Sequence, residues 1–150
     1  MTKAVKKSTS NITVEQVMVT KVYRVTPEMK LWNVIELMIR HQISGAPVVD
    51  TLDQVITVIG EGAVLRLAAS EGLDATVSHC LPKLTPTKKI ITLERHHTFA
   101  DAYKIFLKNY IHRIPVVDDN GRLKGIVSRG TILRLFLEAH YGKKLTRPAA

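Results

Sequence analysis

The sequence predicts a mixed α/β (α+β) protein in which one strand–helix–strand–strand–helix unit occurs twice. Sliding the chain against itself by 68 positions places residues 43–67 on residues 111–135, and nine of these 25 positions are identical without a gap. Both copies contain Pro-Val-Val-Asp, a turn, a second apolar run and a segment that ends in Leu-Arg-Leu. A repeat of this kind indicates one supersecondary unit per copy. We therefore expect a basic tail (1–12), repeat 1 (13–70), a connection (71–88), repeat 2 (89–141) and a second basic tail (142–150).

In the first repeat, Lys21–Val25 is a predicted strand. Thr26-Pro27-Glu28 combines an N-cap residue, a proline suited to the first helical position and an early acid, which predicts a helix start there. Ala46–Val49 and Gln54–Ile59 are predicted strands, and Gly60-Glu61-Gly62 opens the closing helix. The first helix is expected to bury apolar residues that recur at helical spacing: Leu31, Val34, Ile35, Met38 and Ile39.

The second repeat follows the same order. Thr98 and Asp101 form a pattern like a capping box, with Asp in place of Glu. Asn120-Gly121 predicts a tight hairpin turn, because these residues tolerate positive backbone angles. The buried stripe of the predicted helix contains Phe99, Ala102, Phe106 and Leu107. The other predicted elements are the strands Lys89–Leu93, Ile114–Val117 and Arg122–Val127 and a final helix over Thr131–His140.

The composition narrows the class of protein. Hydrophobic residues make up 45% and charged residues 23%, which excludes wholesale disorder. The excess of 22 Lys and Arg over 13 Asp and Glu gives a net charge of +9, which favours anionic partners such as nucleotides, nucleic acid or a membrane surface. One cysteine, Cys80, allows no internal disulfide framework. With neither an apolar leader nor an 18-residue apolar run, the chain is expected to be cytoplasmic and without a membrane span.

The sequence offers weak candidates for catalysis or metal binding. His79-Cys80 and His96-His97 lack the four-ligand spacing of a metal site, so no metal is expected. Gly60-Glu61-Gly62 has neither the spacing nor the lysine of a phosphate-binding Walker loop. No orienting acid is indicated for Cys80 and His79 as a nucleophile–base pair. We therefore expect a protein that is not an enzyme.

The two copies resemble a tandem pair of CBS domains, also called a Bateman module, of the stand-alone bacterial type. The resemblance rests on apolar-Pro-Val-Val-Asp, a turn, a strand, a polar break and a helix with Leu-Arg-Leu in both halves, and it covers roughly Thr13–Tyr141. It implies two βαββα units related by a pseudo-two-fold axis, two inter-repeat clefts and a homodimer. In this family the clefts typically bind adenosine-containing ligands such as AMP, ADP, ATP or S-adenosylmethionine.

The resemblance also implies which residues line the two clefts. One cleft would draw its adenine side from Lys21, Val22, Tyr23, Ile43, Ser44, Gly45 and Ala46, and its ribose and phosphate contacts from Ser128, Arg129 and Thr131. The second, weaker cleft would use Lys89, Ile90, Ile91, Ile111, His112 and Arg113 with Gly60 and Ala63. The chemistry suits such a ligand, because a hydroxyl at a helix start offers hydrogen bonds and the helix N-terminus favours phosphate. Lysine and arginine add charge-assisted contacts to phosphate oxygens.

The sequence departs from the family motif of Ser or Thr, two residues, then Asp, in which the carboxylate grips both ribose hydroxyls. Ser128 and Thr131 keep hydroxyl groups without the acid, whereas Gly60 and Ala63 keep neither. A hydrogen bond to a charged group contributes about 1.5–3 kcal/mol, so each missing Asp weakens ribose binding roughly 10- to 100-fold. The cleft with Ser128 and Thr131 therefore ranks above the other.

The function expected from these features is regulatory. An adenine nucleotide such as AMP, ADP or ATP would act as a regulatory ligand, no cofactor would be required, and binding would shift the arrangement of repeats or protomers. Two alternatives stay open. The +9 charge also fits a protein that binds nucleic acid or another polyanion. The two missing aspartates also fit a structural dimeric adaptor with degenerate clefts and a protein effector.

Overall fold

The computed structural model describes Lys3, residues 11–84 and residues 89–145. The chain is mixed α/β, as predicted, and divides into two compact units: unit 1 (residues 1–20, 92–116 and 124–150) and unit 2 (residues 21–91 and 117–123). In chain order the elements are α1 (Val14–Val17), α2 (Leu31–His41), β1 (Gly45–Val49), β2 (Val55–Gly60), α3 (Glu61–Glu71), α4 (Val77–Leu84), β3 (Leu93–Glu94), α5 (Phe99–Lys108), β4 (Arg113–Val117), β5 (Leu123–Ser128) and α6 (Arg129–Tyr141).

Unit 2 is built on the antiparallel hairpin of β1 and β2, in which Gly45 pairs with Gly60 and Val48 with Thr57. Helices α2 and α3 pack together beside it. Val25 adds a parallel bridge to Val48, although the predicted strand Lys21–Val25 does not form. The core of the unit contains Val25, Val34, Met38, Ala46, Val48, Ile59, Val64 and Val77.

Unit 1 takes most of the three-stranded sheet, in the order β3–β4–β5, together with α5 and α6. The ring of Phe99 is buried and meets the ring of Phe136 edge to face, with centroids 5.9 Å apart. The short β3 covers only the end of the predicted strand Lys89–Leu93, because pairing begins at Leu93.

A short helix from the preceding segment completes each unit. In unit 1, the amide of Val14 in α1 donates to the carbonyl of His97 at 2.8 Å. In unit 2, the amide of Val77 in α4 donates to the carbonyl of Met29 at 2.8 Å. The predicted connection, residues 71–88, thus contains a packed helix, and Val77 and Cys80 on it are fully buried. The sequence does not predict this helix, because an interior proline such as Pro82 is typical of a helix break.

The predicted helix start at Thr26-Pro27-Glu28 is wrong, since α2 begins at Leu31. The amide of Met29 donates to the carbonyl of Thr26 at 3.1 Å, so these residues form a turn. Lys30 is extended and stands at the N-cap, where Asn33 Oδ1 accepts its amide proton at 3.0 Å. The predicted box at Thr98 is confirmed: Asp101 Oδ2 accepts from the Thr98 amide at 2.8 Å.

The two β-turns use the same device in both repeats. Oδ1 of Asp50 accepts two backbone amide protons at 2.8 and 2.9 Å, and Oδ1 of Asp118 does so at 2.9 and 3.0 Å. Gly121 has the positive φ expected of it, 77°. The expectation for Asn120 is wrong, because positive φ outside glycine is confined to Gln42 and Asp53 among the described residues. The side chain of Asp118 stabilises this turn by accepting two backbone hydrogen bonds. Of Asn120 and Gly121, only Gly121 is in the left-handed conformation.

Two residues assigned to buried stripes lie in solvent. Ile39 on α2 is 73% exposed and Leu107 on α5 is 68% exposed, and they occupy equivalent positions of the two repeats. Each stands at the edge of its helix's apolar face, which the periodicity alone does not separate from the centre.

Candidate functional site

The residues predicted for each cleft are divided between the two units. For the first cleft, Lys21–Tyr23 and Ile43–Ala46 belong to unit 2, and Ser128–Thr131 belongs to unit 1. For the second cleft, Ile111–Arg113 belongs to unit 1, and the other residues belong to unit 2: Lys89, Ile90, Ile91, Gly60 and Ala63.

Ser128 and Thr131 form the N-terminal cap of α6, the longest described helix. Ser128 Oγ accepts from the Thr131 amide at 3.2 Å, and Thr131 Oγ1 accepts from the Ser128 amide at 3.4 Å. The two hydroxyl oxygens lie 3.3 Å apart, and both residues are half-buried. Hydroxyl groups at this end of a helix lie where the backbone dipole favours an anion.

Arg129 and His112 come together in unit 1. The Arg129 amide donates to the His112 carbonyl at 3.1 Å, and Arg129 Nη2 lies 3.0 Å from His112 Nδ1. Both side chains are exposed. Sequence reasoning placed these residues in different clefts, whereas the structure places them side by side at the start of α6.

Unit 2 repeats the backbone contact with different side chains. The Glu61 amide donates to the Ser44 carbonyl at 2.9 Å, and these residues are the repeat equivalents of Arg129 and His112. An exposed acid thus stands at the start of α3 where a base stands at the start of α6. Gly60 and Ala63 add no polar side-chain atoms, and α3 begins without a side-chain cap. This helix start is much less suited to an anion.

The segment Lys21–Tyr23 is held by side chains. The ring of Tyr23 stacks on the ring of His41 in α2, with centroids 3.7 Å apart and planes 16° apart. Arg24 Nη1 donates to the Val22 carbonyl at 2.9 Å, and its other nitrogens reach Asp53. Lys21 itself is exposed. Sequence reasoning missed Arg24 and Asp53, although a non-glycine residue opposite Gly121 in the repeat alignment was a usable signal.

The remaining residues predicted for the two clefts lie in both units. Ile43 donates its amide to the Met38 carbonyl at 3.0 Å, and Gly45 and Ala46 begin β1, with Ala46 buried. Lys89 is exposed, and the half-buried Ile90 and Ile91 lie outside any strand. In unit 1, Arg113 begins β4 directly after His112, and Ile111 is half-buried.

A groove of about 690 Å³ lies inside unit 1, and Thr131 lies on its wall. Arg134 Nε donates to Glu138 Oε1 at 3.0 Å, and that oxygen also accepts from the Leu145 amide at 3.0 Å. Arg134 Nη2 donates to the Leu145 carbonyl, so the pair fastens the residues after α6 to the helix. The groove is lined by Ile12, Gln16, Val17, Thr131, Arg134, Leu135, Glu138, Ala139, Gly142, Lys143, Lys144 and Leu145.

Cys80 is buried, and its neighbour His79 contacts the carboxylate of Glu71. Burial raises the pKa of the Cys80 thiol, and the nearby carboxylate of Glu71 raises it further. His79 Nε2 lies 3.2 Å from Glu71 Oε2, and Lys83 Nζ donates to Glu71 Oε1. These hydrogen bonds lower the pKa of the Glu71 carboxyl. The cluster joins α3 to α4.

Among the described residues, no group of three or more His, Cys, Asp or Glu is placed to hold a metal ion. None of the helices in this part of the chain has the length and apolar character of a membrane span.

Comparison with known proteins shows which family the sequence matches. The CBS domain family model matches residues 14–69 and 77–138. The chain is 28% identical over 127 residues to an uncharacterized protein of Acidianus ambivalens, covering 85% of this chain and 74% of that protein. It is 29% identical over 130 residues to inosine-5'-monophosphate dehydrogenase of Aquifex aeolicus, covering 87% of this chain and 24% of that enzyme. Among solved structures it is similar to CBSX2 in complex with AMP, with 26% identity, a TM-score of 0.73 and coverage of 86% of this chain and 98% of that one.

Proposed function

We propose, from the premise that this chain belongs to the CBS domain family and carries two copies of the domain, that it is a regulatory module for an adenosine-containing nucleotide. The observation that carries the proposal is the start of α6, where the hydroxyls of Ser128 and Thr131 lie 3.3 Å apart and Arg129 is the first helical residue, with its guanidinium against His112. Hydroxyl groups suit a ribose, and a helix N-terminus with an arginine suits a phosphate. The similarity to a chain crystallised with AMP supports the same ligand class.

In this proposal the nucleotide contacts Lys21–Tyr23 and Ile43–Ala46 of unit 2 and the residues at the start of α6 in unit 1. The competing helix start carries Glu61 in place of Arg129, which opposes a phosphate. It also lacks a hydroxyl at Gly60 and Ala63. One strong site per chain is therefore expected, with AMP, ADP and ATP as the candidate ligands.

The regulatory step is a shift in the arrangement of repeats or protomers when nucleotide binds. Its free energy can only equal the difference between the ligand's affinities for the two arrangements. We assign no reaction to the chain. Its similarity to a dehydrogenase covers 24% of that enzyme, and no dehydrogenase activity is carried over to this chain.

Calorimetric titration with AMP, ADP, ATP, S-adenosylmethionine and adenosine tests the proposal. We expect saturable binding of at least one phosphate-bearing ligand, weakened roughly fivefold by Thr131→Ala, since one hydrogen bond contributes about 1 kcal/mol and about 1.4 kcal/mol corresponds to a factor of ten. Ala63→Ser serves as the matched control in the other repeat and should leave the affinity unchanged. Absence of binding by every adenosine ligand at millimolar concentration would reject the function. Equal effects of the two substitutions would reject the ranking of the clefts.

We also propose that the module is a homodimer that buries exposed apolar residues of its helices. Leu65 on α3 is 73% exposed and Leu133 on α6 is 65% exposed, and they are repeat equivalents, as are Ile39 and Leu107. Large apolar side chains exposed at matching positions mark an interaction surface. Sedimentation analysis should show a dimer that Leu65→Glu with Leu133→Glu converts to a monomer. A monomeric unmutated chain at high micromolar concentration would contradict this assembly.

The net charge of +9 keeps a polyanion-binding function as the second candidate. Lys143 and Lys144 are exposed and line the groove that also contains Arg134. Such binding depends steeply on salt, because it releases counterions. Titration with single-stranded and duplex oligonucleotides at low salt separates the candidates: oligonucleotide binding without nucleotide binding would favour this one.

A further inference from the structure

The segment Lys21–Val25 lacks the ladder hydrogen bonds that usually fix a binding wall. Only Val25 joins the sheet, through its bridge to Val48, with the Val25 amide donating to the Pro47 carbonyl at 2.9 Å. Lys21–Tyr23, which the proposed function assigns to the adenine side of the cleft, precedes this bridge. Some other contact must fix its backbone.

Arg24 makes that contact. Nε donates to Asp53 Oδ1 at 2.6 Å and Nη2 donates to Asp53 Oδ2 at 3.0 Å, which is a bidentate pair. Nη1 of the same guanidinium donates to the Val22 carbonyl at 2.9 Å. The planar fork thus ties the segment to the β1–β2 turn. The side chains are 35% and 39% exposed, so solvent screens the pair and its value lies in geometry more than in stability.

Asp53 is a rigid anchor for the guanidinium. Its amide donates to the Asp50 carbonyl at 3.0 Å, and its own carbonyl accepts from the Leu123 amide at 2.9 Å. Its φ is 62°, a left-handed conformation that glycine adopts more easily than a residue with a Cβ. Glycine fills the equivalent turn position, Gly121, at a φ of 77°. Aspartate adopts this left-handed conformation less easily than glycine does. Unlike glycine, it has a carboxylate that pairs with Arg24.

The other repeat cannot form this contact. The repeat equivalents of Arg24 and Asp53 are Thr92 and Gly121, which provide neither a guanidinium nor a carboxylate. Of the two equivalent segments, Lys21–Tyr23 and Lys89–Ile91, only the first therefore has the sequence for such a clamp. This is the segment assigned to the stronger cleft.

We propose that Arg24 and Asp53 are positioning residues for the nucleotide site, holding Lys21–Tyr23 in the geometry that receives the ligand. The inference rests on the proposed function. When the segment is already fixed before binding, no conformational entropy is lost in ordering it around the ligand. Preorganisation of this kind raises the affinity even though the positioning residues make no contact with the ligand. Neither residue needs to touch the nucleotide.

Asp53→Gly tests the inference without the risk of unfolding, because glycine suits a φ of 62°. We expect hydrogen exchange to accelerate at residues 21–24 and the affinity for AMP to fall roughly tenfold, with thermal stability kept. Asp53→Asn, which keeps one acceptor for Arg24, should lie in between. The matched control is Arg40→Gln, which breaks the exposed pair of Arg40 with Glu36 at 2.6 Å and should change neither readout.

The possible results distinguish a failure of the positioning role from a failure of the proposed nucleotide binding. Faster exchange with unchanged AMP affinity would overturn the positioning role, and unchanged exchange would overturn the clamp itself. If the unmutated chain binds no adenosine ligand, the proposed function and the positioning role fail together, and the exchange rates still decide whether the clamp holds the segment.

Discussion

The guanidinium of Arg129 lies 3.0 Å from Nδ1 of His112, and the amide of Arg129 donates to the His112 carbonyl at 3.1 Å. The side chain of Arg129 is thereby held at the start of α6, the helix that Ser128 and Thr131 cap. A phosphate bound at this helix start would meet a cation that is already in place.

The first prediction concerns this cation. Arg129→Met should weaken AMP binding roughly 10- to 100-fold, the range for a hydrogen bond to a charged group, and leave adenosine binding nearly unchanged. Parallel calorimetric titrations with the two ligands measure the difference. Glu61→Met, at the equivalent position of the other repeat, is the control and should not weaken AMP. Equal losses for AMP and adenosine would show that Arg129 does not read the phosphate.

The second prediction is a gain of affinity. Thr131→Asp restores the carboxylate of the family motif and should tighten AMP binding roughly 10- to 100-fold, because a carboxylate can accept from both ribose hydroxyls. The substitution should be tolerated, since Asp101 already plays the same part in the capping box with Thr98. Deoxyadenosine monophosphate is the discriminating ligand and should gain less. An affinity that falls for both ligands would place the ribose elsewhere.

The third prediction concerns the close approach of the N-terminal segment to β5. A Cβ on Gly125 would lie 2.5 Å from Met18 Sδ and 2.9 Å from the Val19 carbonyl oxygen. Gly125→Ala should therefore lower the free energy of unfolding by about 1–3 kcal/mol, the usual cost of overpacking. Gly62→Ala is the control, because its Cβ would make only an ordinary contact with Arg66 at 3.6 Å. Chemical denaturation of both variants measures the effect, and equal stability would contradict the packing.

The fourth prediction is a dependence of stability on pH. Hydrogen bonds from Lys83 and His79 lower the pKa of Glu71 below its ordinary value of 4.5 in the folded state. Its contribution is therefore complete above pH 4.5 and is lost as the pH falls through the lower, folded value. Glu71→Gln should be less stable than the parent chain at pH 7 and equally stable at strongly acidic pH. A difference that stays constant from pH 7 to pH 3 would contradict the assignment.

The repeat made most of the fold predictable, because Pro-Val-Val-Asp and the capping residues act through local geometry. Thr98 with Asp101 caps a helix in sequence and in structure for the same reason. The predicted helix start at Thr26 is wrong because a turn from Thr26 to Met29 competes with helix formation. A single sequence does not rank those two conformations. The strand Lys21–Val25 failed because only Val25 finds a strand to pair with, which depends on residues far along the chain.

The local geometry of the candidate site was predictable only where the family motif lies in one continuous stretch. Ser128 and Thr131 stand in such a stretch, and the structure places their hydroxyls 3.3 Å apart. The pair of Arg24 with Asp53 joins residues 29 positions apart, and the pair of Arg129 with His112 joins residues 17 apart. Neither follows from periodicity, since each depends on how a turn or a helix start folds back.

Hydrogen exchange measured with and without AMP reports both whether the nucleotide binds and which residues it contacts. We expect saturating AMP to slow exchange at residues 21–23 and 128–131 and to leave exchange at residues 60–63 and 89–91 unchanged. No protection anywhere at millimolar AMP, or protection confined to residues 60–63 and 89–91, would contradict this expectation.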